Sequence, residues 1–524
     1  VEQLSSLDAS FIEAETPNLP MHISSVSIYD PSTAPQGKVR FKDIMQLYED
    51  AIYEIPMLRQ RLVEVPGNMD YPYWIEDPDF DIEFHVRHIA LPQPGDWRQF
   101  YIQLSRLHSR PLDMQRPLWE IYVIEGLNHL EGMPTGSFAI LQKLHHAAVD
   151  GDSVRRMYML MHDLEPKAPS TRERPDQPLI REARPGALPL LLKSYQRSIR
   201  RPGKLGKALL KTIRNMREVN AARESGELGD PVETLQMRFN GDISPHRVVA
   251  SARVDFDELK QLRLAVPGAT VNDLAICIIA GALRLYLADK DESLDQPLVT
   301  QVPVNIRGAD QMDEAGNKIA PINVSSCSDI ADPLQRLKGI YESTQTGKKR
   351  LEMMGPSMSE EFADALGPHV TRTIFRLMEN TGRIQTLTNL MPGGPNFAFS
   401  NMPGPPLPMY LAGAETKWGI GLGPLMPNMG LFITANSGVG KFVFGVTACR
   451  DMMPDPEFFE QCIYDAYEES RTALHELAVA NDRRDRKKSA RKTARGKVGV
   501  RKKAPAQAKA RKKATKRRRT SAQA

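Results

Sequence analysis

The sequence predicts an α/β protein built in two halves, with a charged linker between them and a basic tail behind. Three observations carry this. Strand-like alternation of apolar and polar residues switches repeatedly to helix-like periodicity between residues 22 and 164, and again from about 246 to 480. Between those stretches lies a segment that opens on EPKAPSTRERPDQP, the composition of a linker. Beyond Arg483, about 20 Lys and Arg residues stand against one acid, Asp485, with too few large apolar groups to build a core. The expected units are residues 1–165, a linker at 166–245, a second half at 246–482 and a disordered tail at 483–524.

The elements follow from local pattern. His22–Tyr29 and Phe80–Ile89 alternate with the period of half-buried strands, and Phe41–Ile55 and Trp97–Leu107 read as amphipathic helices. Trp119–Ile124 and Ser137–Leu144 read as strands, the second running into His145 and His146. A helix is expected at Ser153–Leu164, after the DGD start signal. In the linker, Leu209, Leu210, Ile213, Met216 and Val219 share a helical face flanked by Lys204, Lys207, Lys211, Arg214 and Arg217. Such a helix either lies on a lipid surface or packs on its own domain with a solvated basic face. In the second half, Arg247–Phe256 and Leu298–Ile306 look like strands and Val271–Leu287 is a strongly apolar helix. Gly430–Arg450 reads as a hairpin turning at Ser437-Gly438-Val439-Gly440, and a last helix is expected at Glu457–Ala480.

Composition excludes several classes. Four cysteines far apart, Cys277, Cys327, Cys449 and Cys462, argue against a disulfide framework and a structural zinc site. The opening VEQLSSLDASFIEAE has no basic stretch followed by an apolar core, so no signal peptide is expected. The apolar run Leu274–Leu283 is short of the roughly 20 residues that span a bilayer. The net charge of +5 hides an acidic body of about −14, since the tail alone carries about +19. A tail without aromatics suits attachment to anionic surfaces better than base stacking, and no specific nucleic acid is expected. Gly438-Val439-Gly440-Lys441 lacks the flanking residues of a phosphate loop, Gly419 and Gly421 lack a third glycine, and no GxSxG elbow is present.

The chemistry concentrates in Leu144-His145-His146-Ala147-Ala148-Val149-Asp150-Gly151. Neighbouring side chains on a strand point to opposite faces, so only one imidazole can enter a given cleft. An imidazole titrates near neutrality and can take a hydroxyl proton as the oxygen attacks a thioester, then return it to the departing thiolate. Asp150 suits an architectural role, holding the turn or pairing with an arginine, and Gly151 gives the backbone freedom there. The bland alternatives are a satisfied polar strand end and a helix N-cap at Asp150. No other ligand cluster of suitable spacing joins the pair, so no metal is expected.

HHAAVDG matches the HHxxxDG motif of the CoA-dependent acyltransferase superfamily. Further stretches resemble its wax ester synthase/diacylglycerol acyltransferase family, in family order. Leu4-Ser5-Ser6-Leu7-Asp8 to Pro20-Met21-His22 is similar to the LSxLDxxF…PMH opening. Arg110-Pro111-Leu112-Asp113 and Pro117-Leu118-Trp119-Glu120 are similar to RPLDxxxPLWE. Thr270-Val271-Asn272-Asp273, Pro303-Val304-Asn305-Ile306-Arg307 and Ser400-Asn401-Met402-Pro403-Gly404-Pro405 resemble the ND, PxNxR and SNxPGP motifs. The resemblance runs from about residue 4 to 455 and leaves out the linker and the tail.

The resemblance implies two chloramphenicol-acetyltransferase-like domains with a tunnel between them. His146 would be the general base, with His145 and Asp150 beside it in the catalytic set. Gly151, Asn272 and Arg307 would contribute to substrate binding, Arg307 as partner of Asp150. Asn272 as the N-cap of its helix is the plain alternative. Ser400, Asn401 and Gly404 are expected to shape a loop between the domains. The implied reaction moves a fatty acyl group from acyl-CoA, a co-substrate rather than a bound cofactor, to a long-chain alcohol or diacylglycerol. The expected setting is cytoplasmic, peripheral at the inner membrane or a lipid-droplet surface. The rivals are another HHxxxDG enzyme of the condensation type and a non-catalytic droplet or membrane-surface protein.

Overall fold

The computed structural model describes residues 2–148, 151–168, 186–230, 232, 234, 236–305, 319–355, 358–379 and 394–484. In the first half the order is β1 (Glu2–Gln3), α1 (Ser6–Ala14), β2 (His22–Asp30), α2 (Phe41–Glu54), β3 (Gln60–Val63), β4 (Tyr73–Glu76), α3 (Ile82–His85), β5 (Val86–Ala90), α4 (Trp97–Ser109), β6 (Trp119–Glu125), β7 (Phe138–His145) and α5 (Gly151–Met161). One long helix, α6 (Ala187–Glu224), leads to the second half. There follow β8 (Arg247–Asp255), α7 (Phe256–Leu262), α8 (Val271–Asp289), β9 (Val299–Asn305), β10 (Ile319–Ser325), α9 (Pro333–Met354), α10 (Met358–Glu379), β11 (Phe397–Pro403), β12 (Tyr410–Leu411), β13 (Ala414–Leu422), β14 (Leu431–Gly438) and β15 (Lys441–Cys449). A final helix, α11, spans 456–484.

Two six-stranded mixed sheets form the frame. One has the order β12-β13-β2-β7-β6-β5 and the other β10-β9-β11-β14-β15-β8, with a small sheet β1-β4-β3 beside the first. The halves are therefore interleaved: β12 and β13 come from the second half in sequence yet complete the sheet of the first. The register of β13 on β2 runs from Glu415 opposite Asp30 to Leu422 opposite Ser24, broken by one bulge between Thr416 and Trp418. His108 of α4 reaches the same segment, its Nε2–H donating to the Gly423 carbonyl at 3.1 Å.

Local chemistry explains the element ends. Ser5 caps α1, its hydroxyl accepting the Asp8 N–H at 3.0 Å and donating to the Asp8 carboxylate at 2.6 Å, which gives the LSSLD opening a structural purpose. Thr270 and Asp273 form a reciprocal capping box at the start of α8. The N-cap is thus Thr270, not Asn272. Helix α8 is long and apolar enough to cross a membrane. Every residue from Leu274 to Leu283 is nevertheless buried in the core of the second sheet.

Three expectations change. Only Val86–Ala90 of the stretch 80–89 is strand, because Asp81 caps a helical turn at Ile82–His85 by accepting the Glu83 N–H at 3.0 Å. Ser400 and Asn401 lie within β11, opposite Thr434 and Ala435 of β14, instead of in a loop. The linker helix is far longer than its apolar face suggested and carries Pro202 inside it. The glycine pair at 438–440 is the β14–β15 hairpin turn, with Val439 and Gly440 both at positive φ. The tail beyond Arg484 lies outside the described residues.

Candidate active site

Strand β7 ends at His145, and His146–Ala148 forms one 3-10 turn before α5 begins at Gly151. The two imidazoles separate as strand geometry requires. His145 is fully buried; its Nε2–H donates to the Glu15 carboxylate at 2.8 Å, and its Nδ1 accepts the Ala147 N–H at 3.1 Å. Those two bonds fix its tautomer and leave it no free nitrogen. Its ring is anchored at both nitrogens, to loop 15–21 and to the backbone of the turn.

Glu15 closes a small circuit. Its Oε2 also accepts the Met21 N–H at 2.9 Å, and the Met21 carbonyl accepts the His146 N–H at 2.8 Å. Loop 15–21 therefore grips both histidines, one by its side chain and one by its backbone. The His145 N–H is held in turn by the Leu118 carbonyl at 2.9 Å. Two residues back on β7, the buried Lys143 ammonium donates to the carbonyls of Leu107 and Arg110 and sits 3.7 Å from Glu120. Burial pushes its pKa down to about 8, with Glu120 opposing.

His146 has a different setting. Its ring is half-buried and stacks on Phe11 of α1, centroids 3.8 Å apart and planes 16° from parallel. Its Nδ1 is buried and makes no hydrogen bond among the described residues. Burial pushes its pKa down to about 4, the neighbouring His145 adds to the depression, and its own backbone carbonyl opposes it. The ring is neutral at physiological pH, as a proton acceptor must be.

The site stands where the halves meet. Phe11 packs against the core of the second half as well as the small cluster of Leu4, Ala9, Leu118 and Ala147. Helix α10 lies on α1, with Arg372 ion-paired to Glu13. A cavity of about 110 Å³ opens there between Ile12–Thr16, Arg372, Arg376 and Pro427. A larger one of about 340 Å³ opens between α4 and the start of β8, beside Arg110 and Arg247. Neither reaches the His146 ring, which Phe11 caps, so the expected tunnel past the base is not traced by these two cavities.

Of the other site residues expected from sequence, Asp150 and Arg307 lie outside the described residues, so their pairing does too. Gly151 opens α5. Asn272 projects from the first turn of α8 and accepts a hydrogen bond from the Asn401 amide, whose own oxygen is buried without a partner. That bond ties the ND and SNxPGP stretches together. Glu15 and Phe11 were missed. Glu15 is 130 positions from His145, and nothing local announces the pairing.

Comparison with known proteins extends the picture. Residues 4–275 match the model of the wax ester synthase/diacylglycerol acyltransferase catalytic domain, and 315–471 match the C-terminal domain of the same family. The chain is 30% identical over 459 residues to a putative diacylglycerol O-acyltransferase of Mycobacterium tuberculosis, covering 87% of each. It is 28% identical to an O-acyltransferase of Acinetobacter baylyi, covering 86% of this chain and 93% of that one. Its fold is similar to that of the wax ester synthase/diacylglycerol acyltransferase of Marinobacter aquaeolei, at a TM-score of 0.61 and 24% identity, covering 91% of this chain and all of the other.

Proposed function

This chain belongs to the wax ester synthase/diacylglycerol acyltransferase family and is an acyltransferase, and from that premise we propose that it esterifies long-chain alcohols or diacylglycerol with acyl-CoA, using His146 as general base. The acceptor O–H gives its proton to the neutral imidazole as the oxygen attacks the thioester carbonyl. The tetrahedral oxyanion collapses, the C–S bond breaks, and the imidazolium returns the proton to the leaving thiolate. The products are ester and free CoA thiol, and no covalent enzyme intermediate is needed.

The observation that carries this reading is the asymmetry of the histidine pair. His145 has both nitrogens engaged, while His146 is unprotonated, lies at the seam and has only an aromatic lid over it. A pKa of about 4 makes a base that is always in its accepting form but weak, so the step draws on orientation and exclusion of water. Phe11 covers one face of the ring and leaves the approach in the ring plane, where a nitrogen lone pair meets a hydroxyl.

The test is His146→Ala, assayed with palmitoyl-CoA and either hexadecanol or dioleoylglycerol. Turnover should fall by at least ~100-fold, the usual contribution of a general base. Activity within a few-fold of the parent would refute the assignment.

The linker helix supports a peripheral, cytoplasmic-side attachment to a membrane or lipid droplet. Leu188, Leu192, Tyr195, Ile199, Leu210 and Ile213 recur at helical spacing and are 47–72% exposed. Gly203 and Gly206 continue the row with open space above them. The stripe is about 38 Å long at 1.5 Å per residue. The inward face carries Leu190, Ser194, Ala208, Asn215, Val219 and Ala222, so Val219 of the expected apolar face is buried. Lys204 and Lys211 pair with Asp364 and Glu361 of α10, which leaves the large apolar side chains outward. An enzyme whose acceptor and product are both water-insoluble gains access to them by lying on such a surface.

A further inference from the structure

The cavity of about 340 Å³ between α4 and β8 is walled by arginines from both halves. Arg106 and Arg110 come from the end of α4, and Arg247 and Arg450 from the second half, with His246 beside them. Arg106, Arg110, His246 and Arg450 are exposed at the rim. None of the four arginines forms an ion pair among the described residues. The remaining lining groups, Ser105 and Ser109, donate their hydroxyl protons to the carbonyls of Tyr101 and Ser105. Four arginines and His246 therefore make up the rest of the lining, on a body whose net charge is about −14.

Arg247 is the unusual member. It is only 3% exposed, and its guanidinium donates to the carbonyls of Ser244, His246 and Asn18, with no carboxylate among its partners. Burial lowers its pKa to about 10, so it remains charged at neutral pH. A buried cation without a counter-charge is costly, and an anion arriving from outside removes that cost.

Position ties this pocket to the reaction. Asn18, which accepts from Arg247, is three residues from Met21, the residue that holds the His146 backbone. Arg110 accepts at its carbonyl from Lys143, three residues before His146. The pocket volume equals the share of roughly ten waters, more than one phosphate needs. Arginine forks suit phosphate oxygens bidentately.

We propose that this pocket receives the phosphorylated nucleotide end of the acyl donor, with Arg106, Arg247 and Arg450 as its phosphate ligands. The proposal rests on the reading that the donor is acyl-CoA. It assigns the donor's charged end to the α4–β8 seam and leaves its thioester arm to reach toward His146.

The experiment compares octanoyl-CoA with octanoyl-N-acetylcysteamine, a thioester donor without phosphates. The variants are Arg106→Ala with Arg450→Ala, both exposed and tolerant positions, and separately Arg247→Lys. The KM for octanoyl-CoA should rise about 10-fold or more, the scale of a lost charge-assisted hydrogen bond. The KM for the alcohol should stay put, and the loss with octanoyl-CoA should exceed that with the phosphate-free donor at least tenfold. Titrating adenosine 3′,5′-bisphosphate into parent and variant should show heat only for the parent. Equal losses with both donors, or no loss, overturn the proposal. So does a drop in binding to anionic vesicles with the donor KM unaltered, which would make this a lipid headgroup site. A parent that uses neither donor sinks the acyltransferase reading instead. The bisphosphate titration then decides the pocket alone: heat lost in the variant upholds it, and no heat in the parent overturns it.

Discussion

The turn at 145–148 and the helix α6 are opposite departures from ordinary packing. Around the turn polar groups gather away from water: the buried His145 imidazole meets the Glu15 carboxylate, and the buried Lys143 ammonium sits near Glu120. The helix does the reverse, presenting leucine and isoleucine to the outside. Buried polar groups and exposed apolar stripes are the informative deviations in a folded chain. Among the described residues His145 has both ring nitrogens engaged, while the His146 Nδ1 has no partner. On the helix almost nothing among the described residues covers the stripe, and the lipid surface proposed above would do so.

The sharpest way to break that contrast is the His146→Ala substitution described above, which removes the unsatisfied member and should cost the most. Next comes Glu15. Glu15→Ala strands the His145 Nε2–H in the interior and frees the Met21 N–H, so urea denaturation should show a loss of about 1–3 kcal/mol. Glu15→Gln keeps an acceptor and should lose much less. Equal stability for both variants would mean that the circuit is ornamental.

Acid sharpens the contrast further. Burial depresses His22, His85, His108, His146 and His162, with His108 pushed to about 3 and His162 to about 4. Between the unfolded value near 6.5 and these folded values, the unfolded chain binds more protons. Stability is therefore complete above pH 6.5 and is lost as pH falls toward 4, by on the order of 3 kcal/mol for one imidazole carried from 6.5 to about 4. Thermal unfolding should shift down over that window. Turnover per folded molecule should stay level until about pH 4; a limb near 6.5 would show a solvated ring. For the helix, replacing Leu192, Ile199, Leu210 and Ile213 with Ser should weaken binding to lipid vesicles by about 10-fold, on the scale of apolar transfer. Each change should leave fold stability within about 0.5 kcal/mol. A stability loss of several kcal/mol would place the stripe in a core after all.

Much of this was legible because local pattern decided it. Alternation found β2, the stretches at 119–124 and 137–144 read as strands and form β6 and β7, and an apolar run found α8. The divergence of the two histidines followed from strand geometry alone. The capping box of α8 was also written locally, as Thr270 and Asp273, on either side of Asn272. What escaped was long-range. Nothing in Ala414–Leu422 says that it pairs with β2, about 390 positions away, as well as with the adjacent β12. Nothing near Arg247 says that its charge is buried without a carboxylate. At 80–85 a local rule misled, because alternation and a capped helical turn look alike over six residues.

The loan of β13 to the first sheet sets a schedule for synthesis. Strand β2 has β7 on one side and β13 on the other. On the ribosome, β7 is complete at His145, yet the last residue of β13 is Leu422. At roughly 5–20 residues per second, that interval lasts about 15 to 55 seconds. Throughout it the nascent first half carries a bare strand edge, the kind that recruits neighbouring chains into aggregates. Chaperone occupancy during that window, rather than the stability of the finished enzyme, should govern how much of it a cell accumulates.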